Sequence, residues 1–148
     1  MKREEHRTVV ETYNGIFLHS DAHEWNGLSS IFADVVHLDY SSLSGQPASN
    51  IKKEDIIAAW SSFLPKFTFT LHYLTNHVVS VQDNRATASC YGHAIHHLKD
   101  AEGGDFWEVY GTYAFKLEKI NSWRVTSLKY NHKYAAGNLN LPAIAIKS

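Results

Sequence analysis

The feature that most constrains the fold is a change of hydrophobic period about halfway along the chain. In the second half, apolar and polar residues alternate in four long runs that are typical of strands, covering residues 67–81, 86–98, 107–118 and 123–130. Short turn sequences such as Asp83-Asn84 and Gly103-Gly104 separate these runs. Long strands that follow one another through tight turns are predicted to pair as an antiparallel meander.

The first half of the chain repeats its apolar residues at helical spacing instead. This spacing predicts helices over 4–19, 24–33 and 51–63, the last ended by Pro65, and β-branched residues predict one strand over 35–40. Segments 41–50 and 131–148 contain Gly, Asn and Pro and are predicted to be a loop and a mostly irregular tail. Helices followed by strands favour an α+β domain whose curled sheet covers its own apolar face and leaves a pocket.

Length and charge narrow the possible functions. A chain of 148 residues is predicted to be a single domain, 1–148, with a core of its own. The net charge is −1 and charges of both signs are interspersed, so no surface for nucleic acid or a membrane is predicted. The N-terminus has no apolar run typical of a signal peptide or membrane span, and Cys90 is the only cysteine. We therefore expect a cytoplasmic protein.

Six short motifs stand in an order that resembles one known superfamily. They are Asp21-x-x-x-Trp25, the run 32–40, Thr70-x-His72-x-x-x-Asn76, Ala94-x-His96, Gly111-x-Tyr113 and Trp123-Arg124-Val125. Over roughly residues 9–138 the chain resembles the nuclear transport factor 2-like superfamily, in the branch of SnoaL-like proteins and scytalone dehydratase. The resemblance implies three N-terminal helices packed on a strongly curved, mixed and mainly antiparallel sheet, which forms a cone-shaped half-barrel around a central pocket.

The resemblance also implies a set of site residues. Scytalone dehydratase-like enzymes eliminate water from a small cyclic hydroxyketone without a cofactor, using two histidines, an aspartate and tyrosines. Matched by motif, the catalytic residues are Asp21, His72, His96 and Tyr40. Substrate contacts are implied for Trp25, Asn76, Trp107, Gly111 and Tyr113. The chain departs from the dehydratase pattern at Ser20, Gly111 and Tyr113, which replace a tyrosine, a serine and an asparagine.

The chemistry of these residue types agrees with proton transfer. Imidazole has an ordinary pKa of ~6.5 and can accept and return a proton near neutral pH. A carboxylate beside it holds one tautomer and stabilises the charged form. We therefore predict that Asp21 and His72 form a base dyad, with His96 and Tyr40 as donors or acids.

No metal or cofactor is predicted. In a strand, His96 points away from its neighbours His93 and His97, so these three histidines cannot converge on one ion. The sequence has no Gly-rich phosphate loop and no other cofactor fingerprint.

The resulting function is a cofactor-independent lyase or isomerase that acts on a small, hydrophobic, cyclic or aromatic hydroxyketone. Two alternatives stay open. One is a non-catalytic ligand-binding or assembly domain, like the β subunit of ring-hydroxylating oxygenases, which predicts a filled pocket and an exposed apolar sheet face. The other is a polyketide cyclase with Asp21 or Asp39 as its base. Because Tyr91, His93 and Ile95 make the outer sheet face apolar, we also expect a homo-oligomer, either dimer or trimer.

Overall fold

The chain places its helices mainly before its long strands, as the sequence pattern predicts. The computed structural model describes residues 2–148, and within that range it contains five helices and six strands. The elements are α1 (Lys2–Asp21), α2 (Trp25–Ile31), β1 (Phe32–Asp39), α3 (Ser41–Ser44), β2 (Ser49–Lys52), α4 (Lys53–Phe63) with a 3-10 turn (Leu64–Lys66), β3 (Phe69–Gln82), β4 (Arg85–His97), β5 (Phe106–Ile120), β6 (Ser122–Gly137) and α5 (Leu141–Ile146).

The six strands form one open mixed sheet in the order β2-β1-β6-β5-β4-β3. Only the β1–β6 pair is parallel, and every other neighbouring pair within residues 2–148 is antiparallel. The pairing register shifts between Thr75 and Val78 in β3 and twice between β5 and β6. Such irregularities bend strands and increase their twist, so they let the sheet curl into a half-barrel. The predicted α+β class, with a curved and mainly antiparallel sheet, is confirmed.

The core lies between helix α1 and the concave face of the sheet. One stripe of α1, which includes Val9, Tyr13 and Ile16, is completely buried. On β5 the side chains alternate as predicted, with Val109 and Phe115 among those that point inward. Each fully buried side chain of this size contributes roughly 1.5–3 kcal/mol through removal of apolar surface from water. The helix and the sheet therefore hold each other in place chiefly through this shared apolar layer.

The structure corrects the prediction for the end of the chain. Strand β6 continues to Gly137 instead of ending at residue 130, because its later residues pair with β5, for example Tyr134 with Tyr110. The predicted irregular tail also contains α5, whose Leu141 and Ala145 are completely buried. Polar residues interrupt the alternation in this segment, so the sequence pattern does not predict a strand. Pairing with β5 stabilises the strand despite the weak β-propensity of these residues.

The predicted loop 41–50 is also partly ordered. It contains the short helix α3, and its last residues belong to β2, which pairs antiparallel with β1. Strand β1 begins at Phe32, where the sequence suggested that helix α2 would continue. None of the helices within residues 2–148 has the length and apolar character needed to cross a lipid bilayer.

At Gly111, β6 packs too closely on β5 to leave room for a side chain. A Cβ atom added at Gly111 would lie 2.2 Å from the carbonyl oxygen of Asn131 and 2.8 Å from the ring of Tyr130. Because the first of these contacts is backbone, the clash cannot be relieved by a rotamer change. Gly111 therefore serves the packing of the sheet.

We expect Gly111→Ala to lower the free energy of unfolding by about 3 kcal/mol, the effect of a forced backbone shift in a packed core. Chemical denaturation of purified protein measures this change. Thr112→Val, on the outer face of the same strand, is the matched control and should stay within about 0.5 kcal/mol of the parent. Equal stability of Gly111→Ala and the parent would contradict this account.

Candidate active site

A hydrogen-bonded pair joins the end of α1 to β3. The Oδ1 atom of Asp21 lies 2.8 Å from the Nδ1 atom of His72, and both side chains are largely buried. A carboxylate oxygen can only accept, so Nδ1 of His72 carries the proton that is shared with it. The Nε2 atom of His72 then has a free lone pair and can accept a proton.

The Asp21 carboxylate is held by two further donors. Oδ1 accepts the hydroxyl of Thr70 at 2.9 Å, and Oδ2 accepts the backbone N–H of His72 at 2.9 Å. Thr70 and His72 stand two positions apart on β3, so both point to the same face of the sheet. Asp21 is the last residue of α1, where the helix dipole is unfavourable to a negative charge. These donors offset that effect and fix the orientation of the carboxylate.

The dyad adjoins a cavity of about 280 Å³ between the helices and the concave face of the sheet. Its wall is mostly apolar and aromatic. It is formed by Phe17, Ser20, Tyr40, Leu43, Ser44, Trp60, Phe63, Leu64, His72, Ala94, His96, Trp107, Val109, Tyr113 and Tyr130. A small, mostly apolar space with a few polar groups is the usual form of a site for a small organic ligand.

His96 supplies a second imidazole to this wall. Its ring lies 6.2 Å from that of His72 and stacks on Trp107 at 4.2 Å. Nδ1 of His96 donates to the carbonyl oxygen of Trp107 at 3.1 Å. Burial, together with the nearby His72, lowers the pKa of His96 to about 4. His96 is therefore neutral near pH 7, and its Nε2 accepts hydrogen bonds rather than donating them, which differs from the donor or acid role predicted from the sequence.

Three tyrosines add hydrogen-bond donors to the cavity wall. Burial raises the pKa of Tyr40, Tyr113 and Tyr130, the last to about 12. For Tyr113 the neighbouring Tyr40 and Tyr130 raise the pKa further. All three phenols therefore keep their protons at neutral pH, so they act as hydrogen-bond donors and not as bases.

Of the residues predicted for the site, five line the cavity: His72, His96, Tyr40, Trp107 and Tyr113. Asp21 does not line the cavity itself, but it is hydrogen-bonded to His72, which does.

The remaining predicted residues lie elsewhere. Trp25 stacks on His23 at 5.7 Å, Asn76 has a φ of 58° at the irregularity of β3, and Gly111 packs against β6.

Sequence reasoning missed several side chains that build the site. Thr70 was part of a recognised motif but received no role, although its spacing of two from His72 would have placed it beside Asp21. Phe17, Trp60 and Val109, for which no site role was predicted, also form part of the cavity wall. Among residues 2–148, no group of three or more His, Cys, Asp or Glu side chains is arranged to hold a metal ion.

The low pKa of His96 predicts a pH-dependent stability. Below pH 6.5 the unfolded chain takes up a proton at this residue, whereas the folded chain does so only near pH 4. His96 should therefore lower the free energy of unfolding by up to about 3 kcal/mol as the pH falls from 6.5 to 4.

Urea denaturation at several pH values tests this. His96→Asn, which keeps a donor for the Trp107 carbonyl, should lose this part of the pH dependence. His23→Asn, at an exposed position, is the matched control and should keep it. Identical pH profiles for the parent and His96→Asn would contradict the assignment.

Comparisons with known proteins agree with this architecture. The crystal structure of the Kfla4162 protein from Kribbella flavida matches at a TM-score of 0.89 with 24% identity, over 100% of both chains. A proposed scytalone dehydratase from Novosphingobium aromaticivorans matches at 0.76 with 15% identity, over 93% of this chain and 89% of that one. A hexachlorocyclohexane dehydrochlorinase, LinA-type3 from Novosphingobium barchaimii, matches at 0.74 with 15% identity, over 93% and 92%.

At these identities the structural matches establish the fold alone, which is also shared, at a TM-score of 0.75, by a protein from Salmonella enterica named as a member of the nuclear transport factor 2-like superfamily. No curated protein matches the sequence. Residues 2–129 match the SnoaL-like domain family, which covers most of the chain. The chain therefore belongs to the SnoaL-like domain family.

Proposed function

We propose that this protein is a cofactor-independent lyase or isomerase that moves a proton next to a carbonyl group in a small cyclic or aromatic hydroxyketone. The observation that carries the proposal is the 2.8 Å hydrogen bond between Asp21 and His72 at the wall of an apolar cavity. An imidazole oriented by a carboxylate and facing a pocket is the arrangement of a general base.

The reaction needs only groups that this chain supplies. Nε2 of His72 takes the proton on the carbon beside the carbonyl, the C–H electron pair moves toward the carbonyl oxygen, and an enolate forms. Asp21 stabilises the imidazolium that results. In a dehydration, the β C–O bond then breaks and His72 returns its proton to the departing hydroxyl group as water. In an isomerisation, the proton returns to a different carbon.

The other polar groups of the wall suit the same substrate. Nε2 of His96 can accept a hydrogen bond from the substrate hydroxyl, because Nδ1 is occupied by the Trp107 carbonyl. Tyr40 stays protonated and can donate to an oxygen of the substrate. No lysine or arginine lines the cavity among residues 2–148, so an uncharged substrate fits better than a carboxylate or phosphate. Neighbours named as a dehydratase and as a dehydrochlorinase support an elimination.

The two alternative functions, a cyclase and an assembly domain, have less support. A cyclase with Asp39 as base is disfavoured, because this carboxylate accepts the N–H and hydroxyl of Ser41 and stands outside the cavity wall. The assembly alternative predicts a filled pocket and an exposed apolar sheet face. The sheet face is exposed, but the pocket is not filled and has a volume of about 280 Å³.

The outer sheet face supports association between copies of the chain. Large apolar side chains remain exposed there, namely Phe69, Leu71, Tyr73, Val78, Tyr91, Phe106 and Tyr134. Exposed patches of this kind usually mark an interface. We therefore propose that two or three copies associate through this face.

Asp21→Asn should reduce turnover about 10³–10⁴-fold, since the amide no longer stabilises the imidazolium or selects the reactive tautomer. A suitable probe is 3-hydroxy-1-tetralone, whose dehydration gives 1-naphthol and can be followed by fluorescence. Asp34→Asn, at a highly exposed carboxylate, is the matched control and should leave the rate unchanged. Full activity of a folded Asp21→Asn protein would refute the dyad.

Tyr91→Lys should shift the protein to a smaller assembly, because it places a charge in the middle of the apolar outer face, where Tyr91 is 59% exposed. Size-exclusion chromatography with light scattering measures the mass. Leu18→Lys, at an exposed apolar position on helix α1, is the control for added charge and should leave the mass unchanged. A parent protein that is monomeric at micromolar concentration would overturn this proposal.

A further inference from the structure

We propose that Tyr113 is a catalytic residue that donates a hydrogen bond to the substrate oxygen on which negative charge develops. This inference rests on the proposed function, because it concerns the enolate formed when His72 removes a proton. It assigns the stabilising role to a side chain of β5 that lines the same cavity as His72.

A pair of glycines determines where this side chain lies. Gly92 on β4 and Gly111 on β5 are direct cross-strand partners. A Cβ atom at Gly92 would lie 2.2 Å from the ring of Tyr113, and one at Gly111 would lie 2.8 Å from the ring of Tyr130. Each ring therefore occupies the space that a side chain would otherwise fill. The Tyr113 ring lies over the strand backbone and is held there by packing.

The hydroxyl of Tyr113 has no hydrogen-bond partner within residues 2–148, yet it is not fully buried. The hydroxyl of Tyr130, in contrast, lies 3.2 Å from Nδ1 of His132. Among residues 2–148, Nδ1 of His97 is the only side-chain nitrogen or oxygen that is both fully buried and without a hydrogen-bond partner. The Tyr113 hydroxyl also has no partner, so it must be accessible in part. Tyr113 itself is only 4% exposed and lines the cavity. Its free hydroxyl is therefore available to a molecule in the cavity.

Tyr113 and His72 line the same cavity of about 280 Å³, so one small substrate can contact both. The ring of Phe17 lies 5.0 Å from the ring of His72 and 4.9 Å from that of Tyr113. The base and the donor thus both lie close to one aromatic side chain. Among residues 2–148 no lysine or arginine lines the cavity, so a neutral donor that keeps its proton is a group able to stabilise a developing oxyanion.

The assignment defines one proton-transfer step. The C–H bond beside the carbonyl breaks, an N–H bond forms at Nε2 of His72, and the electron pair moves to the carbonyl oxygen. The Tyr113 hydroxyl keeps its proton and donates a hydrogen bond that becomes stronger as this charge develops. Return of a solvent-derived proton from His72 to carbon regenerates the ketone, so a ketone without a leaving group exchanges its α-hydrogens.

The experiment uses 1-tetralone labelled with ¹³C at the carbonyl, which lacks the leaving hydroxyl. Infrared difference spectra of the bound ketone report hydrogen bonding to its oxygen, and NMR in D₂O reports exchange of the α-hydrogens. With the parent protein we expect the carbonyl band at lower wavenumber than in an apolar solvent. Tyr113→Phe should return the band toward that solvent value and slow the exchange about 10²–10³-fold.

Two controls separate this role from a structural one. Tyr110→Phe removes a hydroxyl from the outer face of the same strand and should change neither readout. Replacement of Tyr113 by 3-fluorotyrosine keeps the ring and makes the hydroxyl a stronger donor, so the band should move to still lower wavenumber. This second substitution also tests the proposal if the phenylalanine variant does not fold.

The outcomes distinguish the two proposals. A carbonyl band that is the same in the parent, the 3-fluorotyrosine protein and a folded Tyr113→Phe variant would overturn the role of Tyr113. A band that responds to both substitutions, in a parent that catalyses no α-hydrogen exchange, would support the donor role and refute catalysis by the dyad.

Discussion

The attachment of the end of helix α1 to strand β3 is the interaction on which the site depends. Three hydrogen bonds from Thr70 and His72 hold the Asp21 carboxylate at this junction. Through them the helix closes one side of the curled sheet, and the same bonds select the tautomer of His72. One carboxylate thus contributes both to the position of the helix and to the basicity of the cavity wall.

The apolar character of the cavity explains the protonation states within it. Charged groups are poorly solvated there, which keeps His96 neutral and the tyrosines protonated. The wall therefore combines one oriented base, one hydrogen-bond acceptor and several neutral donors. This set of groups is suited to moving a proton within an uncharged molecule. It is poorly suited to binding an anion, since within residues 2–148 no basic side chain reaches the cavity.

The two faces of the sheet carry different sets of side chains. Inward-facing residues of β4 and β5 build the core and the cavity, whereas the outward-facing residues form a broad aromatic surface. On that surface His93 hydrogen-bonds Glu108 at 2.8 Å and stacks on Tyr110 at 4.1 Å. The alternation of side chains along a strand allows a single segment such as residues 91–96 to contribute to both faces. A histidine-rich stretch is therefore divided between two environments rather than forming one cluster.

The local pattern of the sequence determined much of this protein. Alternation predicted the four long strands and helical spacing predicted the N-terminal helices, because both periods follow from backbone geometry alone. The recognised motifs predicted that Asp21, His72 and His96 belong to one site, and the structure brings them together. The extension of β6 and helix α5 were not predicted, because their residues are ordered by pairing and packing with distant segments.

Only the tertiary structure decided which side chains share the cavity. The motifs place Trp25 and Asn76 next to dyad residues in sequence, but Trp25 begins helix α2 and Asn76 lies at the irregularity in β3, and neither lines the cavity. The charge state of His96 likewise depends on burial and on His72, which belongs to another strand. The physical reason is that enclosure, desolvation and the approach of distant groups are properties of the assembled fold, whereas sequence periodicity reports only the local geometry of the backbone.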